Sequence, residues 1–179
     1  MPTAVEIQVD IPLLWKSSTK APAATDSVLL LRVLALIEAA PPHFDEDESV
    51  ESLRWQALEA RIDLCVQMLG QLLARNEPEP PHCTAYLSGE HCRWHQAGAV
   101  TVGEQGYLGL RLSTQIPQLL WLPAVVAACQ ADGDAWQVEV RFQIHDAELQ
   151  DWLDKTIFRH HRREISERKR HSLDEDDAT

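Results

Sequence analysis

Three arginines near the end of the chain are its clearest candidates for chemistry, which would be the binding of an anion. Arg159 and Arg163 are four residues apart, and Arg162 lies between them. In a helix this spacing places the first and last guanidinium groups on one face, where they can hold a phosphate or a carboxylate. The alternative is a solvated basic helix end, because cations stabilise the carboxyl end of a helix.

Metal binding and catalysis have weaker support in the sequence. No phosphate-binding glycine loop or GxSxG frame is present. Histidines and cysteines are concentrated in one part of the chain, but their intervals match no common zinc finger or ribbon, and adjacent strand residues point to opposite faces. These residues are His82, Cys83, His91, Cys92 and His95. We therefore predict no metal site, no catalytic residue and no enzymatic activity.

The composition excludes several classes of partner. A formal net charge of -12 over 179 residues argues against a binder of nucleic-acid polymers or of anionic membranes. The first ten residues lack the basic start and apolar core of a signal peptide, and no apolar run reaches the roughly 18 residues of a membrane span. The four cysteines form no CxxC pair, which is typical of a reducing compartment. We therefore expect a cytoplasmic protein without a cofactor or a membrane span.

The elements that position the candidate residues include one long predicted helix, residues 49–75, named here the heptad segment. Its apolar residues recur at alternating steps of three and four, as in the seam of a coiled coil. They are Trp55, Leu58, Ile62, Cys65, Leu69 and Leu72. A second apolar row lies on a neighbouring face. The pattern predicts self-association, and the alternative is a long helix that is buried on two sides within its own domain.

The chain before the heptad segment is predicted to form one short strand and one helix. In residues 1–25, a strand with an alternating pattern ends at Pro12 and a polar linker follows. Asp26 or Ser27 can cap the helix, and its apolar stripe consists of Leu29, Leu30, Val33, Leu34 and Ile37. Together with the heptad segment, this helix gives an antiparallel helical hairpin over residues 26–76.

Residues 82–170 have the pattern of several short strands followed by a helix. The clearest alternation runs from Trp136 to Ile144, after a turn at Asp132-Gly133. An apolar run that contains Pro123 suits a strand with a bulge or at an edge. Asp146 begins a final helix, and residues 171–179 are predicted to be a disordered acidic tail. The fold class is therefore α+β, with a small antiparallel β-barrel between an N-terminal helix pair and a C-terminal helix.

The region from Cys83 to Glu167 resembles a PilZ domain. The resemblance rests on the run CTAYLSGEHCRWHQAGAVTVGEQGYLGLRL, on the strand WQVEVRFQI and on the helix that ends in IFRHHRRE. With two helices ahead of the barrel, the chain is most similar to the atypical, tetramer-forming group of that family. This resemblance implies a six-stranded barrel, a homotetramer and reception of the bacterial second messenger cyclic di-guanylate (cyclic di-GMP).

The sequence departs from the motif with which PilZ receptors bind this messenger, [DN]xSxxG on an early strand. With Ser88 aligned to the motif serine, Tyr86 stands in place of Asp or Asn, and His91 in place of glycine. The family's RxxxR segment before the barrel is also missing, because Glu79 follows Arg75 by four residues.

An RxxxR pattern occurs instead at Arg159 and Arg163. We therefore predict a ligand site made of Ser88, Arg159, Arg162 and Arg163. The predicted function is non-enzymatic cyclic di-GMP signalling with a degenerate nucleotide motif. The alternative is a structural or adaptor module that does not bind the nucleotide and acts through protein partners that the sequence does not identify.

Overall fold

The computed structural model describes residues 5–20, 22, 26–38, 55, 58, 61–62, 65, 80–113, 116 and 118–176, without the side chains of residues 37 and 167–176. Within these residues the order of the regular elements with assigned ends is β1 (Ile7–Ser17), α1 (Ser27–Glu38), β2 (His82–Leu87), β3 (His91–Gln96), β4 (Gln105–Leu110), β5 (Leu120–Asp132), β6 (Ala135–Phe142) and α2 (Ala147–Asp176).

The strands form a closed antiparallel barrel in the order β1-β2-β3-β6-β5-β4. The predicted six-stranded barrel is thereby confirmed. Alternate residues of each strand face the interior, and Val138 and Val140 of β6 are fully buried, as the alternation in the sequence predicts. Leucines from β4 and β5 fill the space between the strands, among them Leu108 and Leu122.

Strand β5 carries the predicted irregularity. It pairs with β4 on one side and β6 on the other, and its register with β6 shifts between Val126 and Ala128. The strand therefore contains a bulge and is not an edge strand. Gly133, with a φ of 61°, makes the predicted turn into β6.

Strand β1 is longer than predicted, because it continues through Pro12 to Ser17. Residues 7–12 pair with β2, and residues 13–17 pair with β4. Pro12 lies where the strand changes its partner, and its carbonyl accepts a hydrogen bond from the N–H of Arg111 at 3.0 Å. A proline is tolerated at such a position because its missing N–H interrupts neither ladder. The N-terminal strand is therefore part of the barrel.

Helix α1 begins at the predicted cap but buries a different face. Asp26 Oδ1 accepts hydrogen bonds from the N–H groups of Val28 and Leu29, at 3.0 and 3.2 Å. The predicted stripe was wrong in part, since Leu29 is 55% and Val33 is 37% exposed. The buried side chains are Leu30, Leu31 and Leu34. Leucine and valine residues of α1 occur on most of its sides. The periodicity of the sequence alone therefore does not determine which face packs on the barrel.

The structure describes five residues of the heptad segment, and all five are helical: Trp55, Leu58, Arg61, Ile62 and Cys65. The seam residues among them are exposed in the single chain, with Trp55 63% and Ile62 54% exposed. Leu69 and Leu72 lie outside the described residues. An exposed apolar seam favours self-association over burial within the same chain.

Helix α2 connects the barrel to α1. Asp146 caps it through a 2.8 Å hydrogen bond from the N–H of Glu148, and its predicted stripe is buried at Leu153, Thr156 and Ile157. It contacts both β1 and α1. The helix continues to Asp176, beyond the start of the predicted disordered tail, because residues 171–176 contain no glycine or proline that would end it. No helix in the described part of the chain is long and apolar enough to cross a membrane.

Candidate functional site

The three predicted arginines lie on neighbouring turns of α2, and the carboxylate of Glu38 contacts one of them, Arg159. Arg159 donates from Nε to Glu38 Oε2 at 3.4 Å and from Nη2 to Thr156 Oγ1 at 2.9 Å. His160 Nε2 lies 3.0 Å from Glu38 Oε1, which is an ion pair when the imidazole is protonated. Arg162 and Arg163 are exposed. We name Arg159, His160 and Arg163 the basic face, because all three lower the pKa of Glu38.

The position of Glu38 disfavours a negative charge, and the basic face compensates for this cost. Glu38 is the last residue of α1, where the helix dipole disfavours an anion, and its side chain is only 10% exposed. Burial alone would raise its pKa, but His160 and the charges of Arg159 and Arg163 outweigh burial and hold the pKa of Glu38 below its ordinary value. The contact therefore stabilises the fold at neutral pH and is lost as the pH falls through that lowered pKa.

Ser88 has a structural position in the turn between β2 and β3. Its side chain is fully buried, and Oγ accepts hydrogen bonds from the N–H groups of His91 and Glu90 at 3.0 and 3.3 Å. The same oxygen lies 2.8 Å from His91 Nδ1. A hydroxyl group has one proton and two lone pairs, so these partners use its full hydrogen-bonding capacity.

The turn of Ser88 contacts α2 ahead of the basic face. Gln150 Nε2 donates to the carbonyl of Gly89 at 2.9 Å, and Asp154 Oδ1 occupies the space that a Cβ on Gly89 would need. Arg159 is five residues beyond Asp154, or about 7.5 Å further along the helix axis. The structure therefore brings the three arginines together and holds Ser88 in a separate turn.

Tyr86 and His91, which stand at two positions of the motif, belong to a network of side-chain contacts on the outer surface of the barrel. His91 connects Ser88 to Glu6, with Nε2 at 3.2 Å from Glu6 Oε1. Arg93 lies 3.7 Å from the other oxygen of Glu6, and its Cζ lies 4.8 Å from the centroid of the Tyr86 ring. Tyr86 and His91 thus contact side chains of the same chain at positions where the motif has Asp or Asn and glycine.

The order serine, histidine, glutamate in this network is that of a catalytic triad, but its geometry is not. A nucleophile must reach the substrate while its base removes the proton. Ser88 is fully buried, and its Oγ accepts hydrogen bonds from two backbone N–H groups. A substrate therefore has no access to this hydroxyl group, and the network orders the turn.

The histidines and cysteines near these strands do not converge on one point in the part of the chain that the structure describes. Cys92 faces the barrel core, whereas His95 lies 3.0 Å from Asp132 Oδ2 on the surface. Burial raises the pKa of the Cys92 thiol, and it also raises the pKa of Cys83. Both thiols are neutral and pack as small apolar groups.

Sequence reasoning missed Glu38 and His160. A signal for Glu38 was present, because it is the one acidic residue of α1 and lies in the last turn, where an anion requires a cationic partner. Nothing in the sequence identified that partner, which lies 121 residues away along the chain.

We expect Ser88→Ala to lower the free energy of unfolding by about 1–3 kcal/mol, because two partly buried N–H groups lose their acceptor. Urea denaturation followed by circular dichroism measures the change. Ser166→Ala is the control, since this exposed hydroxyl group bonds only the carbonyl of Arg162 in its own helix among the contacts that the structure gives it. Equal stability of the two variants would contradict a structural role for Ser88.

Comparison with known proteins agrees with this architecture. A family model described as an atypical PilZ domain, cyclic di-GMP receptor, matches residues 31–170. A crystal structure of a pathogenic protein from Xanthomonas campestris, described as a new tetrameric PilZ domain self-assembled via an unusual helical bundle, is similar with a TM-score of 0.79. The two chains are 25% identical, and the similarity covers 93% of each. The comparison with curated protein sequences gave no match.

Proposed function

Because the chain belongs to the atypical PilZ domain family, we propose that it is a non-enzymatic cyclic di-GMP signalling protein of the cytoplasm that assembles through its heptad segment. The observation that carries the proposal is the family match over residues 31–170, together with the closed six-stranded barrel. The family is described as a receptor family, and a receptor requires a binding surface rather than a reactive group.

The arginines in the middle of α2, namely Arg159, Arg162 and Arg163, are the proposed nucleotide contact. Arginine suits phosphate groups because its planar guanidinium donates two parallel hydrogen bonds and can also stack on a base. Arg162 and Arg163 are exposed and Arg159 is partly exposed. In this proposal Ser88 acts indirectly, by ordering the turn that packs against α2 through Gly89 and Gln150.

Self-assembly is the second part of the proposed function, with a tetramer as the expected state. The similar protein from Xanthomonas campestris is described as a tetramer formed by a helical bundle. Here, exposed apolar side chains occur on the heptad segment at Trp55, Leu58 and Ile62. A further exposed row follows one side of α1, at Leu29, Val33 and Leu36. Two exposed apolar helix faces in one chain are suited to a bundle of several helices.

An adaptor that does not bind the nucleotide is the second candidate function. Two observations favour this adaptor function, because they concern residues of the predicted ligand site that already have partners in the same chain. The hydroxyl group of Ser88 has its hydrogen bonds within the turn, and Arg159 contacts Glu38. In that case the assembled barrels would act through contacts with other proteins.

Isothermal titration calorimetry with cyclic di-GMP, combined with light scattering, tests the proposed function. We expect binding in the micromolar range, weakened at least tenfold, or about 1.4 kcal/mol, in the Arg159→Ala/Arg163→Ala variant. Lys20→Ala/Arg141→Ala removes the same charge from other exposed positions and should leave the affinity unchanged. No heat at high micromolar nucleotide would favour the adaptor, and equal affinities of wild type and the arginine variant would place the nucleotide elsewhere.

A further inference from the structure

Among the described residues, ion pairs connect α1 to α2 at two places, which differ in burial and in which helix carries the carboxylate. Arg32 of α1 contacts Glu148 at the start of α2, and both side chains are 51% exposed. Glu38 at the end of α1 contacts Arg159 and His160, and its side chain is only 10% exposed. The less exposed contact places the Glu38 carboxylate against the Arg159 guanidinium and the His160 imidazole, and the charge of Arg163 also acts on this carboxylate.

The contacts of Glu38 are those that a basic face would make with an external anion. Its two oxygens meet different partners, with Oε2 at 3.4 Å from Arg159 Nε and Oε1 at 3.0 Å from His160 Nε2. A phosphate group offers the same recognition chemistry with more acceptor oxygens and more charge. An anion from solution and the carboxylate of Glu38 cannot occupy this position together, because like charges repel in a partly buried site.

We propose that the basic face is a phosphate-binding site in which Glu38 is the internal occupant, so that a phosphate-bearing ligand binds only by displacing the end of α1. This inference rests on the proposed function for the choice of a phosphodiester as ligand. It adds a regulatory element, because α1 precedes the heptad segment in the chain. Displacement of Glu38 therefore releases the end of α1, which precedes the heptad segment through which the chain is proposed to assemble.

Glu38→Gln tests the proposal because it removes the charge while keeping the size of the side chain. With the charge gone, the guanidinium groups of Arg159 and Arg163 lack their counter-ion, and an anion from solution takes its place. We expect Glu38→Gln to bind inorganic pyrophosphate at least tenfold more tightly than wild type in calorimetry. We also expect pyrophosphate to raise the melting temperature of the variant more than that of wild type, since a ligand stabilises the folded state to which it binds.

Glu148→Gln is the matched control, because it breaks the exposed ion pair between the same two helices. Its affinity for pyrophosphate should equal that of wild type. Adding Arg159→Ala to Glu38→Gln should abolish the gain. If Glu38→Gln does not fold, Glu38→Asp provides the test, because a shorter carboxylate contacts the basic face less well and should also strengthen pyrophosphate binding. Equal affinities of wild type and the Glu38 variant would overturn the proposal.

Cyclic di-GMP binding to wild type is measured separately, so that failure of the proposed function is distinguishable from failure of this inference. A gain in the affinity of Glu38→Gln for both pyrophosphate and cyclic di-GMP supports the site and its ligand class. A gain for pyrophosphate alone supports Glu38 as the occupant of an anion site and overturns the phosphodiester as its ligand.

Discussion

Replacing Leu58 and Ile62 by glutamate is expected to convert the proposed assembly into monomers that keep a folded barrel. Both side chains belong to the seam of the heptad segment and are about half exposed in the single chain. A helical bundle would bury them against apolar residues of other copies. Each carboxylate would then lose its hydration without a cationic partner, which costs several kcal/mol per buried charge. Multi-angle light scattering should therefore give the mass of one chain.

Arg61→Glu is the control for this variant, because Arg61 is an exposed residue of the same helix that lies outside the seam. It should keep the mass of wild type. The barrel of the double variant should remain intact, since neither Leu58 nor Ile62 belongs to the hydrophobic core, and circular dichroism can confirm this. An unchanged mass in the Leu58→Glu/Ile62→Glu variant would exclude the heptad segment as the assembly interface.

The sequence predicted those features of the fold that depend on local chemistry. The alternation of β6 gave its buried face correctly, because neighbouring side chains in a strand point to opposite sides. Asp146 was predicted as a cap, and Asp26 was one of two predicted caps beside Ser27, because an aspartate before a helix can accept hydrogen bonds from the N–H groups that the first turn leaves free. The N–H groups that each cap binds lie within three residues of it, so that a single stretch of sequence contains the whole interaction.

Predictions from the sequence were wrong or incomplete where the partner of a residue is distant along the chain, or where several partners are equally suitable. Leu29 and Leu31 are both apolar residues of α1, yet only Leu31 is buried, because the barrel and α2 determine which face is covered. Pro12 was expected to end β1, but the closed barrel provides a second neighbouring strand at that residue. Arg159 and Arg163 of the basic face were predicted from their spacing, whereas the contact of Arg159 with Glu38 depends on how two helices pack.

The interior of the barrel gives the second large expected effect, at Trp94 of β3. Its side chain is 2% exposed, and it is the largest fully buried side chain among the residues that the structure describes. It lies between the facing residues Ala85 of β2 and Val138 of β6, and its indole N–H donates to Gln96 Oε1 at 3.1 Å. Closed strands cannot move inward far enough to fill the space that a removed indole leaves, so that the cavity persists.

We expect Trp94→Ala to lower the free energy of unfolding by about 3–5 kcal/mol, a large part of the roughly 5–15 kcal/mol that stabilises a typical domain. Urea denaturation at one protein concentration measures the difference. Trp121→Ala is the control, since this half-buried tryptophan covers Gly109 on the neighbouring strand β4 and lies partly in solvent. It should lose much less stability, because solvent and neighbouring side chains can fill its place. Similar losses in the two variants would show that the barrel interior is not the main source of the stability of the fold.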